Sequence, residues 1–307
     1  MTRPKAKESD VIELRNPTAI KIWQDRYQKN GETLNEQLDR VAGFLADTPE
    51  EAKEFYDVMD KGHFFPAGRT MSNAGIGETL TLSNCFVVGS VPDSMNDIFD
   101  TVRIGAITQK AGGGTGYDFS SLRPNGSPTS NDAVASGPVS FMQIFDAGTS
   151  VILQSNRRGA NMGCMSVYHP DIEEFIDCKA DPNNPNNMQF FNLSVMVDDD
   201  FMCAVRFDEE VDLHFPVYRE DFSIETDPNK WTHRKTIRAR DLWDKIIRRA
   251  YENGEPGVLF YDTMNRLNNT SYCETIIGTN PCGRRNWPLY HLSISSMGYQ
   301  LGANGEA

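Results

Sequence analysis

No stretch of the 307 residues reaches the ~18 uninterrupted apolar positions that a membrane helix needs, so no membrane partner is expected. The start, Met1-Thr2-Arg3-Pro4-Lys5, leads into no apolar core, which argues against a secretory signal and for a cytosolic (cytoplasmic) protein. None of the six cysteines stands in a Cys-X-X-Cys pair, and no Cys/His group has zinc spacing, so no metal site is expected. The glycine run at 112–116 lacks the Gly-Lys-Ser/Thr ending of a Walker phosphate loop. Basic residues are outnumbered, 30 Lys+Arg against 43 Asp+Glu, for a net charge of -13. Such a surface repels phosphate polymers, which excludes non-specific nucleic-acid binding but not small phosphate ligands at a local basic cluster. What is present is ordinary for a globular chain: 39% hydrophobic and 24% charged residues. A chain this long buries roughly three quarters of its unfolded surface, enough for one large domain or two small ones.

The first sixty residues read as helices. Asn16-Pro17 starts one, and two capping boxes, Thr33 with Glu36 and Thr48-Pro49 with Glu51, start two more. Leu34, Leu38, Val41, Phe44 and Leu45 recur at helical spacing, and Gly62 ends the third helix. From residue 82 the pattern becomes strand-then-helix. A strand over 82–91 precedes a helix capped at Asp93-Ser94 and running to Lys110; another helix begins at Pro138. Strands follow near 163–168, 189–197, 211–217 and 258–261, with helices near 170–179 and 239–253. This alternation predicts an α/β protein with largely parallel strands. His169 before Pro170-Asp171 reads as a helix cap, and Asp198-Asp199-Asp200 as an acidic helix start. Cys164, Cys178, Cys203 and Cys273 read as buried, inert thiols.

Several short stretches stand out. They are Phe65-Pro66-Ala67-Gly68-Arg69, Asn84-Cys85, Gly113-Gly114-Thr115-Gly116, Leu122-Arg123-Pro124, Arg157-Arg158-Gly159-Ala160-Asn161-Met162-Gly163 and Asn280-Pro281-Cys282-Gly283. Taken singly they are plain. Cys85 is a small hydrophobe in a strand, Asn280 a turn residue before proline, and the glycine run a flexible helix-to-strand turn. Two adjacent arginines beside glycine either clamp phosphates or sit solvated at the surface. Arg69, Thr70, Ser72 and Asn73 either form a polar turn or line the end of the first strand, where hydroxyls and amides suit a ribose or phosphate.

In this order, over about residues 12–283, the stretches resemble the large, catalytic subunit of ribonucleotide reductase, and most of all its adenosylcobalamin-dependent branch. The resemblance implies the first half of a ten-stranded α/β barrel over 63–283, preceded by a helical region over 1–62 and followed by an unrelated tail over 284–307. It implies reduction of ribonucleoside diphosphates by thiyl-radical chemistry, with adenosylcobalamin as cofactor, a deoxynucleotide as allosteric effector and a thioredoxin-like dithiol as reductant. Cys282, at a loop tip, would carry the thiyl that removes the 3′ hydrogen of the ribonucleotide substrate. Cys85 would supply reducing equivalents, and Asn280 would hydrogen-bond the ribose. Thr70, Ser72 and Asn84 would line the substrate site, while Asp93, Arg123, Arg157 and Arg158 would meet the effector. A homodimer contact through the helix at 138–153 is also implied, although an amphipathic helix packed on its own sheet looks the same.

The resemblance stops after Gly283. Where the family has a glutamate base two residues beyond the radical cysteine, this chain has Arg284, and no cysteine follows it. A positioned base contributes roughly 10²–10⁴-fold. The expectation is an N-terminal portion, inactive alone, whose gene is interrupted within the radical loop by an element such as a self-splicing intron. A separately encoded C-terminal half is the variant reading. The rivals are a reductase fed by a separate radical subunit, a non-catalytic deoxynucleotide-binding fragment, and a truncated frame with uncovered strand edges prone to aggregate.

Overall fold

The structure is a computed structural model describing residues 16–77, 80–129, 133–154, 157–181 and 188–282, with the backbone alone at 153, 154, 157 and 158. Four helices come first: α1 (Pro17–Arg26), α2 (Leu34–Leu45), α3 (Pro49–Asp60) and the short α4 (Gly68–Asn73). Their starts follow the sequence. Asn16 accepts a hydrogen bond from Thr18 N, Thr33 and Glu36 close a capping box, and Thr48 accepts from Glu51 N at 3.2 Å. Leu38 and Val41 join Met59, Met71 and Ala74 in a small core, whereas Phe44 and Leu45 of the same predicted stripe end up exposed. Two polar side chains of α2 tie it to α4. The buried Gln37 amide donates to Met71 O at 3.0 Å, and Arg40, paired with Glu32 at 2.7 Å, also reaches Ala74 O.

The remainder alternates strand and helix: β1 (Cys85–Ser90), α5 (Met95–Lys110), β2 (Gly114–Asp118), α6 (Pro138–Val151), the two-residue β3 (Leu153–Gln154) and β4 (Arg157–Arg158), β5 (Asn161–Ser166), α7 (Ile172–Asp177), β6 (Phe191–Val197) and α8 (Asp199–Phe207). There follow β7 (Glu210–Phe215), β8 (His233–Arg238), α9 (Ala239–Asn253), β9 (Gly257–Phe260) and α10 (Tyr261–Arg266). The main sheet has the order β1-β2-β5-β6-β9, every pair parallel. Spatial order equals chain order, so the sheet is singly wound. One face packs on the helices through a core that includes Tyr117, Phe119, Phe145, Phe175, Phe191 and Phe201. The other face carries a smaller cluster, Met162, Cys164, Met196, Val217, Tyr218 and Tyr261.

Three expectations change. The glycine run is more than a turn: Gly112, at φ +101°, ends the helix region, but Gly114 to Asp118 form a strand buried at every residue. The strand near 211–217 does not join the parallel sheet. As β7 it pairs antiparallel with β8, a ribbon whose charged, mostly exposed residues gave no apolar alternation to read. Residues 69–73 form helix α4 beside the approach to β1 rather than a polar turn.

Candidate active site

After α10 the chain turns back over the inner face of the sheet and runs along β2 in the opposite direction. The clamps are local. Asn265 exchanges two hydrogen bonds with Ile276, at 3.1 and 2.8 Å, and Asn268 donates to Glu274 O at 2.9 Å. Beyond them, Gly278 lies against Asp118 and Cys164. A Cβ built on Gly116 would stand 1.9 Å from the carbonyl oxygen of Thr279, and one on Gly114 would stand 3.2 Å from Pro281 Cγ and 3.1 Å from Cys85 Sγ. The alternate glycines of β2 thus form a trough in which loop backbone rests on strand backbone.

At the end of this trough the loop brings Cys282 to the first residue of β1. The sulfurs of Cys85 and Cys282, 197 residues apart in sequence, are 3.7 Å apart. Asn280 is buried, and its Oδ1 accepts from Cys282 N at 3.1 Å, an Asx turn that shapes the tip. Asn192 at the start of β6 donates to Pro281 O at 3.1 Å. Burial, and then the neighbouring Cys282, pushes the Cys85 thiol up to about 12. Cys282 itself is exposed, so one sulfur of the pair faces solvent and the other is covered. The gap between them is too small for a sugar; a ribose would lie against both.

Other anticipated residues are placed as follows. Asn84 accepts from Arg69 N at 3.1 Å and Thr70 donates to Leu82 O at 3.1 Å, holding α4 beside the start of β1. Ser72 is not brought to the sulfurs: its hydroxyl donates to Arg26 O at 3.3 Å on the helical side. Asp93 and Arg123 meet each other at 2.7 Å, past the far end of β1 from Cys85. Arg157 and Arg158 form β4, antiparallel to β3; their side chains, Gly283 and Arg284 lie outside the described residues. His169 is fully buried, with Nε2–H donating to Leu122 O at 2.9 Å and Nδ1 accepting from Asp171 N; the N-cap of α7 is Asp171, not the histidine expected to cap it. Among the described residues no group of His, Cys, Asp or Glu could hold a metal ion, and no helix is long and apolar enough to cross a membrane. Cys164 is buried and Cys178 half-buried, but Cys203 and Cys273 are exposed, contrary to the expectation of buried thiols.

Sequence reasoning missed Asp118, Asn192 and Thr279. Asp118 lies on the inner face beneath the loop, and burial pushes its carboxyl up to about 7 against hydrogen bonds from Ser120 and Ser90 that pull it down. A charged residue within a strand-like run was its only signal. A cavity of about 1050 Å³ opens along β1 from Val87 to Ser90, between the turn at 219–222 and the incoming limb of the loop at 271–278; it includes neither Cys85 nor Cys282.

The family model for the ribonucleotide reductase all-alpha domain matches residues 13–79, and that for the ribonucleotide reductase barrel domain matches residues 83–285. The chain belongs to the ribonucleotide reductase family. Its helical region followed by a five-stranded parallel sheet is an all-alpha domain followed by barrel-domain structure. It is similar to the vitamin B12-dependent ribonucleoside-diphosphate reductase of Thermoplasma acidophilum, 43% identical over 270 residues, covering 87% of this chain and 33% of that protein. The vitamin B12-dependent ribonucleoside-diphosphate reductase of Mycobacterium tuberculosis is 36% identical over 282 residues, covering 86% and 38%. The ribonucleoside-diphosphate reductase subunit alpha of Helicobacter pylori is 32% identical over 291 residues, covering 87% and 37%. The chain therefore spans little more than a third of the length of these relatives.

Proposed function

We propose that this chain is the N-terminal portion of a vitamin B12-dependent ribonucleoside-diphosphate reductase, carrying the helical region (1–62), the first half of the barrel (63–283) and a tail (284–307) of separate origin. The observation that carries this reading is the 3.7 Å approach of Cys282, on a loop seated over glycines, to Cys85 at the start of the first strand. A thiyl that takes a hydrogen from a sugar and a thiol that reduces that sugar must both reach it, and the two sulfurs here sit at one spot. The sulfur of Cys282 takes the 3′ hydrogen of a ribonucleotide; Cys85 is half of the dithiol that reduces it, and a thioredoxin-like dithiol restores it. Asn280, buried beside the tip, bonds the ribose, and Thr70 and Asn84 hold the edge of the pocket, with Ser72 behind them. Asp93 and Arg123, with Arg157 and Arg158, take a deoxynucleotide effector.

Adenosylcobalamin supplies the radical when bound. Its fit to the described residues is limited to one point: Cys282 is exposed and so within reach from outside. The large cavity lies toward the other end of β1 and is lined by neither Cys85 nor Cys282. The roles given above are therefore those of the protein's own atoms. A complementary C-terminal half, as a second chain or as sequence resuming downstream, completes the barrel, and the chain alone is inactive.

The test is complementation. The chain is mixed with the C-terminal portion of a vitamin B12-dependent relative, adenosylcobalamin, a dithiol and a ribonucleoside diphosphate. Deoxynucleotide is expected from the mixture, and none from the chain alone or from Cys282→Ser. Product from the chain alone overturns the split reading. Deoxynucleotide binding that survives Cys282→Ser, with no product from any mixture, favours a non-catalytic binding fragment.

A further inference from the structure

We propose that Cys85 and Cys282 close into a reversible disulfide when the chain meets a two-electron oxidant, locking the loop tip onto β1. The consequence for catalysis rests on the function proposed above, since the bond would engage both reactive sulfurs at once; the chemistry rests on geometry alone. The sulfurs stand 3.7 Å apart, against about 2.05 Å in a disulfide, so less than an ångström of movement on each side closes the gap. The trough of Gly114 and Gly116 holds the loop backbone against β2, and the Asn280 and Asn192 hydrogen bonds orient its tip. Exposure divides the labour. Cys282 is open to a small oxidant, while Cys85 is buried beside it.

With hydrogen peroxide as oxidant, the Cys282 thiol becomes a sulfenic acid as the peroxide O–O bond breaks and one water leaves. Cys85 then attacks that sulfur: the S–S bond forms, the S–O bond breaks, and the departing hydroxide takes the Cys85 proton as a second water. Two thiols and one peroxide give one disulfide and two waters. The thiolate is the attacking form, and burial pushes Cys85 up to about 12, so the second step quickens as pH rises.

The experiment treats the full chain with a several-fold excess of hydrogen peroxide at several pH values, alkylates remaining thiols and maps peptides without reduction. The expected result is a Cys85–Cys282 cross-linked peptide, reversed by dithiothreitol and formed at least about tenfold faster in the native chain than in urea, where proximity is lost. Cys85→Ser should leave Cys282 to oxidise on to sulfinic acid. Recovery of wild-type Cys282 as sulfinic acid with Cys85 still alkylated overturns the proposal. So does Cys282 joined to Cys203 or Cys273 as readily as to Cys85. Circular dichroism of each variant separates misfolding from lost chemistry. No nucleotide is present, so failure here is distinct from failure of the complementation assay, which reads the catalytic assignment.

Discussion

The two faces of the main sheet come from alternate residues of the same strands, yet they follow opposite rules. On β2 and just beyond it, Tyr117 and Phe119 point to the helices, where their rings meet those of Phe145 and Phe191 at centroid distances of 4.8 to 5.9 Å. Gly114, Gly116 and Asp118 face the other way, toward the loop. The helix face gains stability from area and close packing. The loop face gives up side-chain volume so that another backbone can lie directly upon it, and it tolerates a buried carboxyl and a covered thiol. Close packing is concentrated on one side and the paired sulfurs lie on the other, within a single layer of hydrogen-bonded strands.

The comparison breaks most severely on the packed side. Phe119→Ala removes a fully buried ring and should cost about 3–5 kcal/mol in a denaturant titration. A loss under 1 kcal/mol would mean the helix face is not the main source of stability. On the loop side, Gly116→Ala places a methyl where the Thr279 carbonyl sits. It should cost about 1–3 kcal/mol by overpacking and slow peroxide-driven Cys85–Cys282 cross-linking, with helix content unchanged. An unchanged cross-linking rate would show that the glycines do not seat the tip.

The finest effect is a slope in pH. Below the ordinary aspartate value of 3.8, Asp118 is protonated in folded and unfolded chains alike. Between there and about 7 the folded chain keeps the proton and the unfolded chain releases it, so rising pH lowers the unfolding free energy. The change is at most about 1.4 kcal/mol per pH unit for this one group, complete once pH passes its folded value. Asp118→Asn should flatten that slope, measured as denaturation midpoint against pH. An identical slope in the variant would place the titration elsewhere.

Much of the fold was legible because its signals are local. Ser94 caps α5 by accepting from Asp97 N, α9 spans 239–253 as read from its periodicity, and Asp198 caps α8. Features missed by that reading depend on partners distant in sequence. Gly-Arg-Thr-Met-Ser-Asn has weak helix propensity, and α4 is held in place by Gln37, Arg40 and Asn84 from outside it. Gly114 and Gly116 looked like a turn because the loop that needs their bareness comes long afterwards in sequence. The nearness of Cys85 to Cys282 could be anticipated only from the resemblance to a family, never from spacing.

The order of strands in the sheet matches the order in which a ribosome delivers them. Each new strand can dock beside the one before it, with its helix falling on the outer side. By the time residue 279 emerges, the groove meant to receive it has already been floored and walled by earlier chain. The sulfur of Cys282 is therefore set down late, onto a surface finished in advance. Its position is inherited from the sheet rather than worked out by the loop.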